Sequence, residues 1–96
     1  MNEIIETIME QINWRVLHLM GFEFIRMSDD TLRVHRDNRN LDIKYNYGVD
    51  LYDLTKHTIL KDLTVETEKV ENVFFDQLQD IIRKFFNIEE VAGCPR

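Results

Sequence analysis

Apolar residues at Ile4, Ile5, Ile8, Ile12, Val16 and Leu19 recur at steps of three and four, which lines them along one side of a helix. Glu3, Glu6 and Glu10 fall on the remaining faces, and carboxylates in a first turn suit the positive end of the helix dipole. The pattern predicts a helix over residues 2–20, ending between Asn13 and Gly21, where glycine is a natural stop. After Gly21 the period falls from about 3.6 to 2. Residues 22–27 alternate, Ser28, Asp29 and Asp30 form a turn cluster, and residues 31–36 alternate again, which predicts a hairpin. Residues 37–40 predict a second turn. Beyond it Leu41, Ile43, Tyr45 and Tyr47 share one strand face, while Asp42, Lys44 and Asn46 share the other. Gly48 allows a third turn, residues 51–60 predict a further strand, and Lys61-Asp62 separates it from another over residues 63–70.

Asn72 is the expected N-cap of a last helix, because its short side chain can accept from first-turn amides. Asp76 near the start and Arg83-Lys84 near the end match the dipole. Between them Phe74, Phe75, Leu78, Ile81, Ile82, Phe85 and Phe86 form a broad apolar stripe. Such a stripe needs a large apolar partner, and the sheet supplies it. The expected fold is α+β: an antiparallel four- to five-stranded sheet with the N- and C-terminal helices packed on one face. Phe24, Leu32, Val34, Leu41, Ile43, Tyr45, Leu54, Leu78, Ile82 and Phe85 are the expected core.

A length of 96 residues fits a single domain, and a hydrophobic fraction of 44% argues against a disordered chain. Residues 89–96 read as a flexible tail. The early glutamates stand where an export signal carries basic and then unbroken apolar residues, and nowhere do ~18 apolar residues run together. With Cys94 as the single cysteine no intrachain disulfide can form. These features lead to the expectation of a cytoplasmic protein.

Candidate chemistry is sparse. His18, His35 and His57 stand singly, with no second ligand at helical or strand spacing, so no metal site is expected. Cys94 lacks a base and a held electropositive pocket. Asp50 and Asp53 differ by an odd number of positions and point to opposite faces of a strand, which works against a catalytic pair. Neither a glycine-rich phosphate loop nor a cofactor motif is found. The expectation is no catalysis and no cofactor.

Charge is the more informative feature. The formal net charge is -6, with carboxylates at both ends of the chain and Arg26, Arg33, Arg36, Arg39 and Lys44 clustered between. A net acidic chain with one basic patch is poorly suited to phosphate backbones, so nucleic acid is a disfavoured partner. Two surfaces could receive a protein partner. Arg33, Arg36, Arg39 and Lys44 would form a basic rim for an acidic target, one in which Arg36 and Arg39 tolerate reversal without loss of stability. The alternative is the acidic set Glu66, Glu68, Glu71 and Asp76, suited to a basic partner.

Asp50-Leu51-Tyr52-Asp53-Leu54, the acidic strand over residues 65–70, and Val73-Phe74-Phe75-Asp76-Gln77-Leu78 together carry a resemblance. The chain resembles a group of small, mostly uncharacterised bacteriophage and prophage proteins with a D-x-Y-D-[VL] strand followed by a V-[YF]-x-D-Q-L helix start. The pattern spans residues 4–88; the longer N-terminal helix and the Gly-Cys-Pro-Arg end depart from it. The resemblance implies a phage setting, hence a host-cell cytoplasm, and no mechanism. Taken with the small size, the segregated charge and the missing catalytic groups, it leads to the expectation of a non-catalytic accessory protein that acts by binding another protein, inhibition of a host or defence component being one form of that. The alternative expectations are a self-assembling homo-oligomer and, ranked below it, a nucleic-acid-binding module.

Overall fold

A computed structural model describes residues 3–88 of the chain. Helices α1 (Glu3–Gln11) and α2 (Trp14–Leu19) precede strands β1 (Glu23–Arg26), β2 (Thr31–Arg36), β3 (Arg39–Asn46), β4 (Leu51–Ile59) and β5 (Val65–Val73). A 3-10 turn (Phe75–Gln77) then leads into α3 (Leu78–Phe85). The strands form one five-stranded antiparallel meander, in the order β1-β2-β3-β4-β5. This is the α+β arrangement expected from the change in hydrophobic period.

The pleat sorts the side chains. Leu32, Val34, Leu41, Ile43, Tyr52 and Leu54 are buried on the helix side, packed against Ile5, Ile8 and Ile12 of the first helical segment and Leu78, Ile82 and Phe86 of the last. Each fully buried aliphatic side chain contributes about 1.5–3 kcal/mol relative to exposure, so this layer is the main source of stability. Phe24, Tyr45 and Phe85, also expected in the core, are only partly buried around it.

The N-terminal helix is broken where one continuous helix was expected. Asn13 adopts a left-handed conformation, φ 59 and ψ 59, which asparagine tolerates better than most residues. The break turns the chain, so in α2 it is Leu17 that reaches the core, while Val16 and Leu19 face solvent. Gly21, φ +91, then makes the turn into β1.

The start of the last helix differs too. Asn72 is no N-cap; it belongs to β5, with φ 60, at a register shift where Tyr52 pairs with Val73 and Leu54 with Val70. Gln77 does the capping from inside, its Oε1 accepting the Phe74 N–H at 2.9 Å. The expected strand over residues 63–70 runs on to Val73, and Leu63 lies in the preceding turn. The tail expectation for residues 89–96, Cys94 included, lies outside the described residues. No helix among the described residues is long and apolar enough to cross a membrane.

Candidate functional site

The side of the sheet away from the helices carries a polar network. The Arg33 guanidinium grips Asp42 with both arms, Nε to Oδ1 at 2.7 Å and Nη2 to Oδ2 at 3.0 Å. Hydrogen bonding to the carboxylate raises the Arg33 pKa further, so the guanidinium stays charged. His57 Nε2 lies 3.4 Å from Asp42 Oδ2 and its Nδ1 3.3 Å from the Thr67 hydroxyl, while His35 Nδ1 meets Asn40 Oδ1 at 2.6 Å. Hydroxyl, imidazole and carboxylate thus stand in the order of a nucleophile relay. The contacts are long, however, and Arg33 already holds the carboxylate. The geometry matches a cross-strand network that keeps a half-buried sheet face satisfied. Among the described residues no group of three or more His, Cys, Asp or Glu side chains could hold a metal ion.

The basic residues singled out in the sequence do not share a face. Arg33 and Lys44 lie on the open side; Arg33 is paired with Asp42, and Lys44 is exposed. There the Ser28 and Thr31 hydroxyls, with help from Lys44, hold the Asp30 carboxyl below its ordinary pKa. Arg36 and Arg39 instead reach the helix side. Arg39 Nη1 donates to the Phe85 carbonyl at 2.7 Å, and Arg36 donates to the Phe86 carbonyl at 3.3 Å and the Met20 carbonyl at 3.4 Å. Their guanidiniums also lie over the Phe22 ring, 4.5 Å from its centre for Arg36, and the Phe85 ring, 5.7 Å for Arg39. Both cations therefore stand at the negative end of α3, so the expectation that they carry no structural duty fails.

The acidic alternative divides as well. Glu66 and Glu68 project beside α3 near Lys56 and Phe85, Glu68 lying 3.9 Å from the Lys56 ammonium; Glu71 sits by the β5 irregularity. Asp76 belongs to a different place, a hollow between α1 and α3 lined by Glu10, Gln11, Phe75, Gln79 and Asp80.

That hollow adjoins a feature the sequence concealed. Phe74 and Phe75, read as part of the core stripe, are 55% and 59% exposed. The corner holding them is braced from several sides. Asp53 Oδ1 accepts the Asn72 N–H at 3.2 Å while its Oδ2 accepts from Asn46 at 3.1 Å. Tyr52 donates to Gln11 Oε1 at 2.6 Å, and Gln79 donates to the Gln11 carbonyl at 3.0 Å. Residues 50–54 and 73–78 thus meet in space: Tyr52 pairs with Val73 in the sheet, and Asp53 accepts from the neighbouring Asn72 amide. The spacing carried no signal of this, since Phe74 and Phe75 continue the same helical stripe as Leu78, Ile81, Ile82, Phe85 and Phe86.

Fold and surface define a small α+β protein whose sheet is bare on one side and whose β5–α3 corner displays aromatic side chains beside carboxylates. No family model matches the chain, and no curated protein or solved structure matches it.

Proposed function

We propose that the chain is a non-catalytic binding protein, an accessory protein of phage type that engages another protein through the Phe74–Phe75 corner and so restrains a host or defence component. The observation carrying this reading is the exposure of two adjacent phenylalanines on a corner held by hydrogen bonds that Asp53 and Gln77 accept and Gln79 donates. Aromatic side chains kept in water at a rigid position contribute little to folding, and rigid exposed aromatics are what protein interfaces use as anchors. The resemblance in residues 50–54 and 73–78 supports the phage setting. Engagement of Arg33, Arg36 and Arg39 within the chain works against a nucleic-acid role. Glu66, Glu68 and Glu71 along the β5 edge work against self-assembly by strand pairing.

The test is affinity capture from host lysate with the wild-type chain and with Phe74→Ser/Phe75→Ser, each first checked for its melting temperature and its mass by light scattering. A partner retained by the wild type and lost by the folded variant is the expected result. Equal retention by both removes the corner from the interface, and a stable homodimer that buries it replaces this reading with self-assembly.

A further inference from the structure

The two edges of the sheet differ in what guards them. Strand β5 runs nine residues and carries Glu66, Glu68 and Glu71, all exposed. Strand β1 has four residues and one charge of each sign, Glu23 and Arg26, the latter already paired with Asp29. The strand pairing that the glutamates oppose at β5 is therefore unopposed at β1. Which backbone groups of β1 face out follows from its ladder. The Met27 N–H donates to the Thr31 carbonyl at 2.9 Å, and hydrogen-bonded pairs alternate along an antiparallel ladder. Ile25 thus bonds inward to Arg33 of β2, while Phe24 and Arg26 turn their N–H and C=O groups outward. The same stretch of chain, residues 16–27, leaves Val16, Leu19, Met20, Ile25 and Met27 in water, apolar surface that folding of one copy does not use.

We infer that β1 pairs antiparallel with the β1 of a second copy about a two-fold axis at Ile25, joining two five-stranded sheets into one. Such an axis stands perpendicular to the sheet, so each face continues across the junction and outward backbone groups must meet outward groups. One register satisfies both conditions. Phe24 then lies opposite Arg26 of the second copy, and Arg26 opposite its Phe24, each pair exchanging backbone hydrogen bonds. Ile25 meets Ile25 on the open face, and each guanidinium lies beside a phenyl ring on the helix side. Centring on Phe24 instead sets Arg26 against Phe22, whose N–H is already given to the Leu17 carbonyl. Charge agrees with this occupant, since no two like charges stand opposite each other. Pairing β1 with β5 of another copy would run on without closing. The inference is independent of the Phe74–Phe75 corner, which follows the opposite edge strand and stays open in the dimer. A junction of four residues a side falls short of the about 1,600 Å² of a standard interface, so the dimer should exchange with monomer.

Sedimentation velocity of the full chain between about 1 μM and 1 mM tests this. The mass should pass from monomer to dimer within that range. Each copy carries a net charge of -6, so added salt should screen the repulsion and shift the transition to lower concentration. Ile25→Glu and Ile25→Lys should each weaken dimerisation at least about tenfold, and an equal mixture of the two should dimerise again, because a residue on a two-fold axis confronts its own copy. Ile25 is exposed, so both variants should melt with the wild type; Arg26→Pro, which removes an outward N–H, serves if they do not. In a Cys94→Ser background, Ile25→Cys should form an intermolecular disulfide on mild oxidation, since directly opposed residues of a non-hydrogen-bonded pair lie about 4.5 Å apart at Cα. A chain that stays monomeric throughout, a dimer that survives Ile25→Glu, or Glu and Lys variants that fail to pair on mixing overturns the inference. Loss of the dimer in Phe74→Ser/Phe75→Ser but not in Ile25→Glu also overturns it and replaces the reading of the corner as well. A β1 dimer that still captures a host partner through the corner leaves both standing.

Discussion

Replacing Arg36 and Arg39 together by alanine should destabilise the protein far more than two surface substitutions would. The last carbonyls of a helix lack intrahelical partners, and at the end of α3 Phe85 and Phe86 receive theirs from these guanidiniums. A hydrogen bond involving a charged group contributes about 1.5–3 kcal/mol at good geometry. The 2.7 Å contact of Arg39 qualifies, while the longer contacts of Arg36 fall short of that range. Stacking on Phe22 and Phe85 adds about 0.5–1 kcal/mol for each cation. The two residues grip one helix end, so their effects are not additive, and the double variant should lose about 2–4 kcal/mol. At about 4–8 °C per kcal/mol for a domain of this size, its melting temperature should fall by more than about 8 °C. Thermal circular dichroism with urea titration measures this, and Lys44→Ala on the open face is the control, expected within about 0.5 kcal/mol of wild type. Arg39→Lys should recover part of the loss, since lysine keeps the charge without the planar fork. A double variant melting within about 2 °C of wild type would refute the assignment and return both arginines to the pool of binding residues.

Two further outcomes test the fold. Leu63 is 81% exposed at φ 72, a left-handed position that disfavours leucine, so Leu63→Gly should raise stability by about 0.5–1 kcal/mol in a urea titration; a loss would mean that the side chain makes a contact that matters. Burial raises the Tyr52 pKa, with the nearby Asp50 charge adding to it and the Gln11 hydrogen bond opposing it. A raised folded-state pKa contributes stability that is fully present below the tyrosine value of the unfolded chain, about 10, and is lost as pH rises through the folded value. Melting temperatures of the wild type should therefore drop more steeply than those of Tyr52→Phe as pH rises above about 10, and parallel curves would exclude Tyr52 as the source.

The candidate site was legible only in pieces. Local spacing gave the carboxylates of α1 and the acidic start of the last helix, because three- and four-residue steps fix which side chains share a helix face. It could not join them, since the bridge from Gln79 to the Gln11 carbonyl spans most of the chain. For the arginines, alternation correctly separated Arg33 from Val34 but was silent on where the ends of the strands lie. Arg36 and Arg39 flank a two-residue turn, and only the docking of α3 brings carbonyls within their reach.

Sequence alone determined the element types, the meander and about half of the core, because hydrophobic period is a local property that burial on one face enforces residue by residue. Leu32, Val34, Leu41, Ile43 and Leu54 could point nowhere else once the strands formed. Tertiary structure decided what local pattern leaves degenerate. Asn13 fits a helix by pattern, yet a left-handed turn there aims Leu17 at the core in place of Val16 and Leu19. Phe74 and Phe75 belong to the apolar stripe by composition; the Asp53 carboxylate on β4 pins the Asn72 backbone, the register shifts, and both rings are left in solvent. In each case a single backbone torsion or a contact between distant residues outweighed a side chain's intrinsic preference for burial, since the core had room for only one of the competing apolar faces.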